Sequence, residues 1–231
     1  MRGAGLGHLG GTLSVAKVAC HISDRIPILR ASELLDQRQE AVKRLHGLSA
    51  LSETQFRVLF WPLLLAFAES VQTLPKGEPG QRLILDLRLQ RAERVLRRRR
   101  GVILPPGADS EQVARAEDLW TYAVFSIALL RQLAREMDFW KITLWSAHDQ
   151  PLGCWAPHKA AKGLAWVKEA QFYRLERATL SRGDWTPLMV GALMPQAALN
   201  WLWREPEVFD VWQKALSRPD LPEWIQPLFL D

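Results

Sequence analysis

The chain has 231 residues, 48% of them apolar and 24% charged, and a formal net charge of +5. By composition it is an ordinary soluble globular protein, one large domain or two small ones, with ample chain for a core. The mildly basic balance permits a nucleic-acid partner without requiring one, and the most apolar run, residues 61–68, is far short of the roughly 20 residues that a membrane span needs.

Residues 1–24 are Gly-rich, lack a period and read as a flexible N-terminal tail. Lys17 interrupts its only apolar stretch, which argues against a signal peptide. Ile26 precedes Pro27, so residues 25–31 read as extended. Ser32, with Glu33 in the first turn, starts a helix to residue 45. Ser52 and Gln55 have capping-box spacing and open a helix over 53–74, in which Pro62 predicts a kink or a restart. Residues 74–80 are turn-forming. The next helix, 83–100, has an apolar side (Leu83, Ile84, Leu87, Val95, Leu96) and a basic one (Arg91, Arg94, Arg98), and Gly101 can end it.

After a loop in which Asp109 or Ser110 can serve as N-cap comes the stretch that organises the chain, residues 114–136. Ala116, Trp120, Ala123, Ile127, Leu130 and Ala134 recur at helical spacing, on a stripe wide enough for a core helix. Arg131 falls on that stripe, and a guanidinium that cannot shed its proton needs acceptors in a core. Residues 142–145 and 152–155 read as two strands around a turn at 148–151. Residues 165–178 read as an amphipathic helix, 186–203 as one or two helices broken at Pro195, 205–216 as another helix, and 217–231 as an irregular tail. The expected class is mostly α: a helical bundle with a small β-hairpin, over residues 25–216. Eleven Trp spread from Trp61 to Trp224 point to large knobs in a helical core; Trp120, Trp201 and Trp203 read as core, with base stacking as the alternative.

Five stretches, taken in order, resemble the N-terminal HD-hydrolase-like domain of the MobH/TraI-type relaxases of integrating conjugative elements. They are RIPILRASELLDQRQEAVKRL (25–45), FRVLFWPLLLAFAESVQTLP (56–75), RRRRGVILPPGADSEQ (97–112), LWTYAVFSIALL (119–130) and LMPQAALNWLWREPEVFDVWQKAL (193–216). The resemblance implies an HD-domain-like bundle. In that family a run of three histidines follows the VQ-LP segment, another histidine sits in the next helix, and a His-Asp pair sits in the central helix. Together they would hold a water-activating divalent metal. Here Val71-Gln72-Thr73-Leu74-Pro75 runs into Lys76-Gly77-Glu78 without a histidine. Leu87 stands where the next histidine belongs, and Arg131 and Gln132 replace His and Asp. No histidine occurs between His46 and His148.

The resemblance with its ligands replaced implies a cytoplasmic, non-catalytic accessory protein of a conjugative element, without metal or cofactor, contacting DNA or the transfer machinery. Arg131 would then occupy the vacated pocket, with Glu78 or Asp86 as its partner. Two alternatives stay open. One is a DNA-processing enzyme with a non-standard metal site. The other is a DNA-binding module using the phosphate-binding potential of Arg91, Arg94, Arg97, Arg98, Arg99 and Arg100, a cluster that reads equally as a solvated helix face.

The remaining reactive residues make no site. His148-Asp149 spells an HD pair but lies in a turn, whereas metal ligands converge from several elements. His158 reads as a surface-loop residue, His8 and His21 fall in the tail, and His46 suits a helix C-terminus. Cys20 and Cys154 form no CxxC pair and point to a reducing compartment; Cys154 reads as buried strand packing. No P-loop or GxSxG motif is present.

Overall fold

The computed structural model describes residues 25–78, 80–156 and 163–230. The predicted tail over 1–24, with His8, Cys20 and His21, lies outside these residues, as does His158. The described chain is mostly helical with a small four-stranded antiparallel sheet. In chain order the elements are β1 (Ile26–Pro27), α1 (Ala31–Asp36), α2 (Gln39–Ser49), α3 (Glu53–Val71), α4 (Ile84–Arg99), α5 (Ser110–Leu130) and α6 (Leu133–Met137). There follow β2 (Trp140–Ser146), β3 (Pro151–Cys154), β4 (Ala170–Arg177), α7 (Thr186–Leu193), α8 (Gln196–Trp203) and α9 (Pro206–Ser217). Among the described residues no helix is long and apolar enough to cross a membrane.

The caps are where the residue types place them. Gln55 N–H donates to Ser52 Oγ at 3.3 Å and Ser52 N–H to Gln55 Oε1 at 3.1 Å, closing the box that starts α3. Asp109 caps α5 in the same way, accepting from Gln112 N–H at 2.8 Å. α3 runs through Pro62 without restarting. The single helix expected over 32–45 is two, α1 and α2, jointed at Gln37 and Arg38.

α5 is the centre of the molecule. Every residue from 119 to 130 is buried, so its later turns are covered all round rather than on one stripe. α4 and α9 pack on it most extensively, and α3 and α8 also touch it. Phe60 of α3 stacks on Phe125 at 4.4 Å and meets Tyr122 edge-on at 5.1 Å. Trp212 of α9 donates its indole N–H to Ser126 Oγ at 2.9 Å. Trp120 is core as expected, edge-on to Trp224, whereas Trp203 is 71% exposed at the end of α8.

The sheet order is β1-β4-β2-β3. The predicted hairpin is β2–β3, with Thr143 opposite Cys154. The predicted helix over 165–178 is not one: a 3-10 turn at Leu164–Trp166 leads into β4, which pairs along β2 from Trp140↔Arg177 to Ser146↔Ala170. Residues 172–176 alternate, Tyr173 and Leu175 turning inward while Phe172, Arg174 and Glu176 are more exposed, and period two wins once β1 and β2 flank the strand. Two hydrogen bonds tie the sheet to the loop after α3: Trp140 Nε1–H to Pro75 O at 2.9 Å, and Tyr173 Oη with Thr73 Oγ1 at 2.7 Å. The C-terminal stretch is irregular apart from a 3-10 turn at Gln226–Phe229, yet it packs: Ile225, Leu228 and Phe229 are buried against α4.

Candidate functional site

The helix expected to run to residue 136 stops at Leu130. Arg131 turns extended (ψ 125°) and Gln132 adopts a left-handed conformation (φ 59°) before α6 begins. The break falls on the two positions where the resemblance places a metal-binding His-Asp pair.

A helix end leaves carbonyls without intrahelical donors, and a buried end needs donors from elsewhere. Here the donor is Arg88. It lies on the inward stripe of α4 with Leu85, Leu89 and Ala92, and is 3% exposed. One guanidinium nitrogen donates to Arg131 O at 2.8 Å and to Ala128 O at 3.4 Å. The opposite edge meets Glu136 of α6, Nε–H donating to Oε2 at 3.1 Å with a second nitrogen also 3.1 Å away. Lys76 Nζ stands 3.5 Å from the other Glu136 oxygen. Burial pushes the Arg88 pKa down, and the charge and hydrogen bond of Glu136 oppose it. A cation at the C-terminus of α5 also suits that helix's dipole.

Arg131 is buried too, but faces the other way. Its Nε–H donates to Ala215 O at 3.1 Å, and a terminal N–H reaches Pro219 O, so it caps the end of α9. Desolvation lowers its pKa, with a smaller push from Arg88, against the pull of Asp220 and Asp184. The expected partners are engaged elsewhere: Glu78 pairs with Arg177 at 2.8 Å and Asp86 with Arg38 at 2.5 Å. Those two pairings correct the expectation that either acid faces Arg131. Leu87 and Gln132 are half-buried at the junction's edges.

The junction of α4, α5 and α6 thus holds one inward guanidinium, that of Arg88, and one carboxylate that is already doubly paired, while the Arg131 guanidinium leaves it for the end of α9. Such a donor set suits binding of backbone carbonyls and repels a divalent cation. Among the described residues no three His, Cys, Asp or Glu side chains group closely enough to hold a metal ion. Sequence reasoning missed Arg88 and Glu136. The signal for Arg88 was there, since it sits at helical spacing with Leu85, Leu89 and Ala92.

The arginine run of α4 is not one basic face. Arg97 pairs with Glu93 at 2.8 Å. Arg98 donates to Leu228 O at 3.2 Å and to Leu230 O. Arg99 is buried and donates to Val102 O at 2.5 Å and Glu117 O at 3.4 Å. Arg100 donates to Leu48 O at 3.3 Å and to Gly47 O at the end of α2. Arg91 lies 5.7 Å over the Phe229 ring. Arg94 lines a groove between α2 and α4 with Arg38, Arg44 and Arg97. Elsewhere, Asp149 at the hairpin tip pairs with Arg25 at 2.8 Å and Arg174 at 3.0 Å, while His148 is exposed. His46 takes its expected place in the last turn of α2, 3.2 Å from Leu51 O. Cys154 is in a strand as expected but exposed, because β3 is an outer strand.

No curated protein matches the chain. The family described as "Putative helicase", TraI_2, matches residues 26–218, from β1 to the end of α9. With the sheet, the bundle and the α4–α5–α6 junction all inside that match, the chain belongs to the TraI_2 family and is a TraI-type, relaxase-like domain.

Proposed function

We propose that the protein is a degenerate, non-catalytic HD-like relaxase relative, a cytoplasmic accessory protein of a conjugative or integrative element that works by binding DNA or the transfer machinery. The observation that supports this reading is the buried Arg88 guanidinium, paired with Glu136 and capping α5 beside Leu87, Arg131 and Gln132. Those are the positions from which a metal would be held in the family it resembles. A buried permanent cation beside these positions disfavours a second cation through desolvation and repulsion together. Elemental analysis of the purified protein tests it: Mn, Fe and Zn come out well below stoichiometric. Stoichiometric metal, removed by Glu136→Gln together with cleavage of single-stranded DNA, would overturn it in favour of the DNA-processing reading.

A second reading, DNA contact through the arginine helix, is favoured by two exposed members of the run, Arg97 and Arg100, and by the neighbouring Arg38, Arg44 and Arg94 of the groove. Phosphate contacts release counterions, so affinity would fall steeply between low and moderate salt. Arg97→Ala together with Arg44→Ala then flattens that salt slope; an unchanged slope refutes it.

A further inference from the structure

A cavity of about 460 Å³ opens between the start of β2, the end of β3 and the start of α7. Arg182, Trp185 and Leu188, with Met137 and Asp138, complete its wall, and none of Arg88, Arg131 or Glu136 lines it. Its walls are mainly Trp140, Trp155, Trp185, Ile142, Met137 and Leu188. Ligand pockets of this size, roughly 300–1,000 Å³, are mostly apolar with a few placed polar groups.

The polar groups here set the ligand's charge. Asp138 is 6% exposed and saturated: it accepts from Ser181 Oγ–H and Arg182 N–H, each at 2.7 Å, and lies 3.4 Å from the Arg182 guanidinium. Burial raises its pKa, and the donors around it more than reverse the effect and hold it below the ordinary carboxylate range. It therefore stays a charged anchor for residues 181 and 182 rather than a free acid awaiting a cationic ligand. The cationic lining residues are Lys141 and Arg182, with side chains 48% and 71% exposed. Lys141 pairs with Glu176 at 2.7 Å, an exposed pair that gives up little when a better anion arrives, whereas Arg182 reaches buried Asp138 at 3.4 Å through one terminal nitrogen.

We infer that this cavity is a nucleotide-binding site. The indole walls take the flat base, and Lys141 and Arg182 take the phosphate at the mouth. Indole walls beside cations are the combination that holds unstacked bases. The same chemistry is offered by a free mononucleotide and by a base splayed from a single strand. The inference goes beyond the proposed function and does not rest on it, since the metal content can come out either way without touching this cavity.

The test is calorimetric titration of the full chain with dAMP, with a short oligo(dA) single strand, and with inorganic phosphate. Wild type binds dAMP, oligo(dA) or both saturably, and phosphate far more weakly. Leu188→Trp fills the cavity from an exposed position on α7, and Arg182→Glu reverses the charge at its mouth; each weakens binding by about tenfold or more. Both replaced side chains are exposed, and thermal melts confirm that the variants remain folded. Binding of dAMP identifies a free-nucleotide site, and binding of oligo(dA) alone identifies a strand-derived base. Absence of saturable binding by both probes overturns the inference. So does binding that neither variant weakens, or phosphate that competes as well as dAMP.

Discussion

Replacing Arg88 by Met keeps the aliphatic stem that packs with Leu85 and Leu89 and removes the guanidinium. Three things are lost at once: the donor to Arg131 O, the donor to Ala128 O, and the charge facing Glu136. Hydrogen bonds to a charged group contribute about 1.5–3 kcal/mol each. Breaking a buried ion pair by deleting one partner costs about 3–5 kcal/mol. The two figures overlap, so the larger is taken as the whole loss, about 3–5 kcal/mol. For a chain of this size each kcal/mol lowers Tm by about 2–4 °C, which gives a drop of roughly 6–20 °C. Glu136→Gln added to Arg88→Met removes the stranded charge, and the double variant recovers about 1–2 kcal/mol relative to additivity. Urea unfolding of wild type, both singles and the double measures this coupling. A loss below about 1 kcal/mol for Arg88→Met, or singles that simply add, would refute the account of the junction.

Two further predictions concern Glu69 and the residues pinned to it. Gly163 has φ 76° and ψ −168°, a region open essentially to glycine alone, and a Cβ there would lie 2.4 Å from Glu69 Cγ and 2.8 Å from Glu69 O. Gly163→Ala therefore costs about 2–4 kcal/mol, combining backbone strain with a clash against backbone; an unchanged urea midpoint would show the close approach to be wrong. Glu69 itself is 5% exposed and accepts from Ala31 N–H and Ala165 N–H, each at 2.8 Å. Desolvation raises its pKa above the usual 4.5 against the pull of those two bonds. The folded state then holds this proton more tightly than the unfolded chain, so the group's stabilising contribution is full below pH 4.5 and declines as pH rises through the folded pKa. Glu69→Gln flattens that part of the stability–pH curve, and its single acceptor oxygen, facing two N–H donors, costs about 1–3 kcal/mol at low pH. An unaltered slope would assign the titration to another group.

Much of the fold was legible because it depends on short-range chemistry. Ser52 with Gln55, and Asp109 with Gln112, announce helix starts by satisfying amides three residues away. The stripe through Ala116, Trp120 and Ala123 marked α5 as core, though its burial from 119 to 130 is more complete than one stripe requires. What the chain did not reveal locally depends on distant partners. β4 is a strand because β1 and β2 flank it, and its alternation spans only five residues. α5 ends at Leu130 at a buried break whose freed carbonyls a guanidinium from α4 satisfies. The arginines from Arg98 to Arg100 resembled a solvent face, yet they spend their donors on the carbonyl ends of α2, α5's flank and the C-terminal turn. No periodicity argument shows what lies at the tip of a long side chain. Arg88 was the avoidable omission, because its spacing alone placed it inward.

The outer strands of the sheet are β1, two residues long, and β3, four residues long, and each carries a proline: Pro27 and Pro151. A proline offers no amide to an incoming strand, and Gly153, at φ 112°, bends the second rim further from a flat ribbon. Both rims are thus poor templates for another copy's backbone. At high concentration these two rims resist open-ended strand addition by another copy.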